Sequence, residues 1–351
     1  MRILILHEGR AGHSSQSRAV AMALGKSFPV EETRVFCKLR VGAFQRPLRF
    51  LLNLTGAKLP LCLFRLFHKG EPLPHETPDL IISAGGGTTY ANAWLARHYH
   101  RPNLFCGELR GLNPRLFKGV ITGFRKYQGK KPYLISPTPV PIDKSALAKA
   151  AVAFRQSSGI GGARCWSLLA GGDGAGYVYT DEDWKSLAAG MKALAEKHRI
   201  RWLVTTSRRS GKAAEDAISS AIEGASVAAA HYASRSGGDI SYQEILGTAE
   251  RHFCTEDSHM MISEAIASGR PVHTLHPARH NTHKSNQYFL DLYTENGWIS
   301  RHAIRGLADI DFQKTAHLST ETPSVMDELS AILRTWWNSL EAISPANHWH
   351  T

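Results

Sequence analysis

The sequence of 351 residues has no apolar run that approaches the ~20 residues needed for a helix to span a bilayer. Its first apolar stretch, residues 3–6, is too short for the core of a signal peptide and is typical of a buried first strand. We therefore expect a cytoplasmic protein.

Cysteine is scarce, and none of the five cysteines forms a C-x-x-C pair. An odd number of widely separated thiols predicts neither a disulfide framework nor a zinc site. The chain also lacks a P-loop G-x-x-x-x-G-K-[ST] and a G-x-S-x-G turn. These absences argue against a P-loop NTPase and an α/β-hydrolase.

Acidic residues are outnumbered, with 30 Asp and Glu against 42 Lys and Arg, for a net charge of +12. This balance favours an acidic partner: nucleic acid, an anionic membrane or a phosphorylated substrate. Because no nucleic-acid-binding motif accompanies the charge, we expect no nucleic-acid partner. An apolar content of 43% predicts a globular chain.

The first half contains two units of strand, glycine loop and helix, which is where α/β sheets bind ligands. In the first unit, the loop over residues 7–16 holds Gly12 and His13 before a helix at about 17–24. His13 titrates near neutrality, so it is a candidate general base, or else a capping or merely polar histidine. In the second unit, a strand over 78–83 leads into Gly85, Gly86 and Gly87.

Residues 45–69 are rich in Leu and Phe and interleaved with basic residues. Two interpretations remain open for this segment. It either lies as a basic amphipathic surface on an anionic bilayer, or forms a pair of helices that covers a sheet.

The pattern restarts in the second half. A strand over 166–169 precedes a glycine loop, and a strand over 202–206 precedes two arginines. Backbone donors and guanidinium groups of this kind favour a phosphate cradle; the alternative is that the two arginines are surface charges. The cradle residues are Gly171, Gly172, Asp173, Gly174, Arg208 and Arg209.

The segment 253–277 predicts a strand, an acidic loop, a helix at 260–267 and a second strand. Asp257 and Ser258 are N-cap candidates, and Gly269 is expected in the left-handed conformation that ends a helix. The amino end of this helix suits a phosphate, and Glu264 suits two ribose hydroxyls. The alternative is an ordinary βαβ unit in which Glu264 is solvated.

A histidine-rich turn follows at residues 276–283, where Pro277 interrupts the helical spacing of the histidines. We expect no metal site there, and place Gln287 at the edge of the ligand cleft as a hydrogen-bonding group.

These units predict an α/β fold with two Rossmann-like domains that face each other across a cleft. We place the first domain at residues 1–150 and the second at 151–322. A final helix within 323–351 is expected to cross back onto the first domain.

Three stretches, at residues 171–173, 205–209 and 255–264, resemble the family named after the plant "elongated mitochondria" fission factor. Bacterial members of that family are described as glycosyltransferases. Gly12-His13 and residues 263–271 also resemble loops of GT-B glycosyltransferases, such as the lipid-linked N-acetylglucosaminyl transferase of peptidoglycan synthesis. The resemblance spans most of the chain and is weaker at about 35–75.

The resemblance implies a GT-B fold with a nucleotide-sugar donor on the second domain and an acidic or lipid-linked envelope acceptor on the first. His13 would take the acceptor proton, Gly12 and Gly85–Gly87 would line the acceptor side, and no cofactor or metal would be needed. It also implies a cytoplasmic protein with peripheral contact on the inner face of an anionic membrane. Asp173 departs from the pattern, because a neutral residue is expected beside a diphosphate.

Two further functions fit the same fold. One is a non-catalytic GT-B-like protein that recruits partners at a membrane, and the other is a two-domain nucleotide-sugar epimerase.

Overall fold

A computed structural model describes residues 1–222, 227–235, 238–314, 318 and 324–343. The chain divides into two compact units, residues 1–141 with 323–351, and residues 142–322. The division falls between Pro141 and Ile142, whereas the sequence places the boundary after residue 150. No helix of the described residues is long and apolar enough to cross a membrane.

Unit 1 is built on a sheet of seven strands in the order β3-β2-β1-β4-β5-β6-β7. All neighbouring pairs are parallel except β2 and β3. The strands are β1 (Arg2–His7), β2 (Glu31–Leu39), β3 (His68–Gly70), β4 (Leu80–Ala84), β5 (Asn103–Cys106), β6 (Gly119–Thr122) and β7 (Tyr133–Ile135).

Both faces of this sheet are covered, which explains why its central strands are continuous apolar runs. Every residue of β4 is buried, and alternate residues of β1 enter two separate cores. The covering helices are α1 (Ala11–Gly25), α2 (Gln45–Thr55), α3 (Phe64–Phe67) and α4 (Thr88–Tyr99).

Unit 2 is built on a fully parallel sheet of six strands in the order β10-β9-β8-β11-β12-β13. In the order of the chain this is 3-2-1-4-5-6, the arrangement of a Rossmann fold. The strands are β8 (Cys165–Ala170), β9 (Arg201–Thr206), β10 (Val227–His231), β11 (His252–Thr255), β12 (Val272–His276) and β13 (Ile299–Ala303).

The helices of unit 2 begin and end largely where local sequence signals predict. Thr180 and Asp183 form a reciprocal capping box at the start of the second helix. Gly269 has a φ of 77°, as the sequence predicts for a helix end. The helices are α5 (Lys144–Ser157), α6 (Asp181–His198), α7 (Gly211–Ala221), α8 (Tyr242–Thr248), α9 (His259–Ala267) and α10 (Lys284–Glu295).

The last helix, α11 (Val325–Ile343), belongs to unit 1. Leu329 and Leu333 enter the same core as α1, and the indole N–H of Trp336 donates a hydrogen bond to the carbonyl of Lys118 at 3.0 Å. The predicted return of the C-terminal helix to the first domain is therefore confirmed.

In each sheet the strand order reverses direction once, between β1 and β4 in unit 1 and between β8 and β11 in unit 2. Loops that leave the carboxyl ends of the strands on either side of such a reversal form a crevice, the usual ligand site of open α/β sheets. The predicted site loops after β1, β4, β8 and β11 all lie at these two positions.

Candidate functional site

A carboxylate and an imidazole form a pair at the crevice of unit 1. Nδ1 of His13 lies 3.0 Å from Oε1 of Glu8, and the Glu8 side chain is only 7% exposed. The other carboxylate oxygen of Glu8 accepts the backbone N–H of Gly87 at 2.9 Å. Glu8 therefore ties the loop after β1 to the first turn of α1 and to the start of α4.

Two glycines of the loop after β4 allow this pair to form. Gly85 and Gly86 have φ angles of 54° and 60°, in the region that favours glycine. A Cβ on Gly85 would overlap the imidazole ring of His13, and a Cβ on Gly86 would overlap the carboxylate of Glu8. The successive glycines thus provide close packing for the pair.

The Glu8 contact fixes the chemical state of the histidine. An ionised carboxylate only accepts hydrogen bonds, so Nδ1 of His13 carries the proton and Nε2 keeps its lone pair. Burial lowers the pKa of His13; Glu8 acts to raise it, and the charges of Arg10 and Arg110 act to lower it further. The ring is therefore neutral at neutral pH, and its side chain remains 26% exposed.

The structure corrects the local context of His13. Helix α1 begins at Ala11, whereas the sequence predicts a loop through residue 16. Gly12 and His13 consequently lie in the first helical turn, not in a loop before it. The N-cap, Arg10, makes no side-chain capping bond. Gly12 has low helix propensity, and Ser14 and Ser15 are typical of caps and turns, so the local pattern predicts a later start than the helix has.

Basic side chains surround the pair. Arg10 Nε lies 3.4 Å from Glu8 Oε1. Burial raises the pKa of Tyr90 in α4, and the charges of Arg110 and Arg49 act to lower it. Together with the Arg110 effect on His13, these interactions make a cationic neighbourhood at the carboxyl end of the sheet.

In unit 2 the same edge of the sheet is organised by Asp257, whose side chain is fully buried. Its Oδ2 accepts the backbone N–H of Gly172 at 3.0 Å and pairs with Arg209 Nη2 at 2.7 Å. Its Oδ1 accepts the hydroxyl of Tyr179 at 3.1 Å. Burial raises the pKa of Asp257, and Arg209 is the strongest opposing influence. Asp257 thus positions the glycine loop and one arginine.

A second network lies beside it, around the fully buried Glu256. Arg301 binds both oxygens of this carboxylate at 2.8 Å, and the hydroxyl of Tyr177 donates to Oε2 at 2.8 Å. Burial acts to raise the pKa of Glu256, but the hydrogen bonds and charge of Arg301 outweigh it and the pKa is lowered. Arg301 and Tyr177 thus hold the carboxylate of Glu256, and its role is structural.

Other members of the predicted cradle have distinct positions. Gly171 donates its N–H to Thr255 at 2.6 Å, which joins the loop after β8 to the end of β11. Asp173 is exposed, and its Oδ1 accepts the N–H of Tyr179 at 2.9 Å, so its carboxylate braces the turn that contains Gly174. Arg208 is exposed.

Glu264 lies in the second turn of α9. The residue is partly exposed, yet burial raises the pKa of its carboxyl group to about 7, with the hydroxyl of Tyr242 acting in the opposite sense. A carboxyl that is desolvated but reachable has the properties of a group at the mouth of a binding site. Ser258 is the N-cap of α9 and makes no side-chain capping bond.

Gln287 lies in the first turn of α10 and donates to Asp291 at 2.6 Å. His280 stacks on Tyr177, and the carbonyl of Pro277 lies 3.2 Å from Nδ1 of both His276 and His280. The described residues contain no group of three or more His, Cys, Asp and Glu side chains that could hold a metal ion.

The sequence did not single out three residues that organise these sites: Glu8, Tyr179 and Arg301. Glu8 had a usable signal, because an acidic residue directly after a buried strand lies at the ligand edge of the sheet. Tyr179 and Arg301 had none, since their partners lie 78 and 45 residues away in the chain.

The two sheets and the C-terminal helix define an α/β fold of the GT-B type, and solved structures share it. The UDP-GlcNAc 2-epimerase of Neisseria meningitidis bound to UDP-GlcNAc is 12% identical and covers 97% of this chain and 100% of its own, with a TM-score of 0.56. The UDP-GlcNAc 2-epimerase of Methanocaldococcus jannaschii is 13% identical, with coverages of 95% and 100% and a TM-score of 0.57.

A third similar structure comes from a plant. UGT2 of Phytolacca americana, complexed with UDP-2fluoro-glucose and pterostilbene, is 10% identical and covers 99% of this chain and 96% of its own, with a TM-score of 0.50. At such identities the likeness concerns the fold.

A match of the sequence to a family model identifies the family of this chain. Residues 11–331 match the family model described as "Mitochondrial fission ELM1", and the chain belongs to that family. Among curated proteins, no sequence matches this chain.

Proposed function

We propose that this protein is a glycosyltransferase that moves a sugar from a nucleotide-sugar donor to an acceptor hydroxyl without a metal ion. The observation that carries the proposal is the Glu8–His13 pair. A buried carboxylate holds a neutral imidazole with its second nitrogen unprotonated, at the crevice of a Rossmann-like sheet. This arrangement suits a general base for a hydroxyl.

The donor is assigned to unit 2. The backbone of Gly171–Gly174, the guanidinium groups of Arg208 and Arg209, and the start of α9 at Ser258 would hold the diphosphate. Glu264 would accept the ribose hydroxyls, and Gln287 would contribute a further hydrogen bond. Asp257 would act through its bonds to Gly172 and Arg209.

In the proposed step, Nε2 of His13 takes the proton of the acceptor hydroxyl. The acceptor oxygen forms a bond to the anomeric carbon, and the bond between that carbon and the diphosphate oxygen breaks. Fixed positive groups stabilise the departing diphosphate, which is the role that a metal ion plays in other designs.

The acceptor is assigned to unit 1, along Gly12 and Gly85–Gly87. The charges of Arg10, Arg49 and Arg110 favour an acidic acceptor, such as a lipid-linked phosphate of the cell envelope. A cytoplasmic location with peripheral contact at the inner face of the membrane belongs to the same proposal.

A panel of uridine, guanosine, adenosine and cytidine diphosphates tests the donor assignment. One of them is expected to raise the melting temperature of the wild-type protein, since a ligand that binds only the folded state stabilises it. The same nucleotide should give a much smaller shift with Glu264→Ala. No shift with any of the four would contradict the proposal.

A nucleotide-sugar epimerase is the second candidate, because two of the similar structures are UDP-GlcNAc 2-epimerases. An epimerase would convert its nucleotide-sugar without an acceptor, whereas a transferase would release nucleotide in proportion to acceptor glycosylated. Product analysis in the absence of acceptor separates the two.

Non-catalytic recruitment at a membrane is the third candidate, because the family description names mitochondrial fission and no reaction. Nucleotide binding that is lost in Glu264→Ala would count against it.

A further inference from the structure

Exposed apolar side chains are concentrated in one segment of unit 1. The described residues include seven large hydrophobic side chains that are exposed, and five of them fall between residues 41 and 66. These five are Val41, Phe50, Leu54, Leu63 and Leu66. An apolar cluster of this kind on a protein surface marks a contact site.

Helix α2 shows that packing of the core does not account for these residues. Its inward side chains, Leu48 and Leu52, are 0% exposed and belong to the core that includes helix α4. Its outward side chains, Phe50 and Leu54, are 65% and 70% exposed. The helix is thus apolar on two sides, and the residues that the structure describes leave its outer side uncovered.

Within this segment, the Asp, Glu, Lys and Arg side chains have a single sign of charge. Residues 33–70 contain no Asp or Glu and eight Lys or Arg. The eight are Arg34, Lys38, Arg40, Arg46, Arg49, Lys58, Arg65 and Lys69. Six of these, all except Arg34 and Lys38, lie between or next to the exposed apolar residues in the chain. All six are exposed.

We propose that this surface docks on an anionic phospholipid bilayer. We call it the docking face and define it by Val41, Phe50, Leu54, Leu63 and Leu66 with the exposed basic residues of 40–69. Apolar side chains enter the boundary between headgroups and acyl chains, while Lys and Arg contact anionic headgroups. A second copy of the chain is a poorer partner, because two faces of the same charge repel each other.

Helix α2 also connects the docking face to the loop after β5, whose Arg110 acts electrostatically on His13. Nδ2 of Asn53 donates to the carbonyl of Gly111 at 3.0 Å, and the N–H of Asn113 donates to Oδ1 of Asn53 at 2.8 Å. Beside this anchored loop, Arg49 and Arg110 both act on Tyr90. Provided that the proposed function holds, an acceptor whose lipid is in the bilayer is delivered next to the base.

Co-sedimentation with phospholipid vesicles tests the docking face. The wild-type chain is expected to bind vesicles of phosphatidylcholine with one quarter phosphatidylglycerol, and to bind pure phosphatidylcholine much more weakly. Phe50→Ser/Leu54→Ser should reduce the partition coefficient about tenfold or more, and Lys58→Gln/Arg65→Gln should do the same while reducing the salt dependence.

The matched control is Val152→Ser/Val178→Ser, which removes the other two exposed large hydrophobics among the described residues, both in unit 2. It should bind vesicles as the wild type does. Equal binding to both vesicle types, no binding to either, or equal loss in the control would overturn the proposal. A dimer in light scattering that Phe50→Ser/Leu54→Ser dissolves would assign the face to self-association instead.

Nucleotide-induced shifts in melting temperature keep this test separate from the proposed function. The docking variants should retain the wild-type shift, which also shows that they are folded. Vesicle binding without any nucleotide effect would leave the docking face standing and remove the proposed transfer. Nucleotide binding without vesicle binding would remove the docking face and leave the proposed transfer standing.

Discussion

A buried carboxylate lies at the crevice of each unit and makes the same kind of contact with a glycine loop, but its basic partner differs. In unit 1, Glu8 accepts the N–H of Gly87 at 2.9 Å; in unit 2, Asp257 accepts the N–H of Gly172 at 3.0 Å. Each bond ties together two loops on either side of the reversal in strand order. The basic side chain that contacts the carboxylate is His13 in unit 1 and Arg209 in unit 2.

Under the proposed function, this difference separates two kinds of chemistry on one scaffold. A histidine can give up and take up a proton, so the carboxylate of unit 1 would support proton transfer. An arginine keeps its charge at all relevant pH values, so the carboxylate of unit 2 would help to hold an anion. We expect the two crevices to respond differently to the same perturbations.

The largest effect is expected from His13→Gln. Loss of a general base typically lowers turnover by about 100- to 10,000-fold, while nucleotide binding should stay unchanged. Turnover of the wild-type protein should also fall as pH drops through the lowered pKa of His13. Steady-state kinetics with measured nucleotide affinity provide the check. A variant that keeps wild-type turnover would remove the base from unit 1.

Arg301→Met should affect unit 2 through stability. It leaves the fully buried Glu256 without its cation, which typically costs about 3–5 kcal/mol, although the 23% exposure of Arg301 favours the lower end. Chemical denaturation measures the change. Glu256→Gln/Arg301→Met is the control and should recover part of the loss.

The sign of the pH dependence follows from the lowered pKa of Glu256. Its contribution to stability is present above the ordinary pKa of a glutamate and disappears as pH falls through the lowered value. The Arg301→Met variant should therefore lack the part of the acid sensitivity of stability that Glu256 gives the wild type. An unchanged acid transition would contradict this assignment.

Glu264→Gln should produce an intermediate effect that depends on pH. Ionised carboxylates are better acceptors for hydroxyls, and the pKa of Glu264 is raised to about 7. Nucleotide affinity of the wild type should thus rise between about pH 6 and pH 8, and be roughly tenfold above that of the variant at the higher pH. Calorimetric titration of a nucleoside at several pH values avoids the ionisation of phosphate.

The raised pKa also predicts the stability of the free protein. The favourable contribution of protonated Glu264 is complete below the ordinary glutamate pKa and is lost as pH rises through about 7. Glu264→Gln should flatten this decline. If the wild type and the variant show the same profile, the carboxyl does not titrate in that range.

The smallest effect is expected from Asp173→Asn. The amide retains an acceptor for the N–H of Tyr179, so both the turn and nucleotide affinity should change less than about twofold. Asp173→Ala should weaken the turn by about 1 kcal/mol. A large gain in affinity in the amide variant would show that the carboxylate opposes the diphosphate directly.

Local sequence signals were sufficient for much of this architecture. Buried apolar runs predicted the central strands, and the glycines after β1, β4 and β8 predicted where the crevices form. Local signals do not predict strand β2, because its first four residues, Glu31–Arg34, are exposed and three of them are charged. The local pattern places the start of α1 too late because Gly12, Ser14 and Ser15 are residues that favour turns and caps.

The sites were predictable to the extent that their signals are local. His13 and the loop of Gly171–Gly174 stand out by residue type and position. The carboxylates that organise them act through partners distant in the chain, as with Asp257 and Gly172, which are 85 residues apart. Such pairings depend on the order of the strands in the sheet, and local patterns in one sequence do not reveal that order.

The central claim is that unit 2 holds a nucleotide diphosphate while unit 1 supplies the base. Isothermal titration of the wild type and of Glu264→Ala with the diphosphates of uridine, guanosine, adenosine and cytidine tests it most directly. The account predicts that one of the four binds the wild type and binds the variant at least about tenfold more weakly. Absence of binding to the wild type, or equal binding to both proteins, would contradict it.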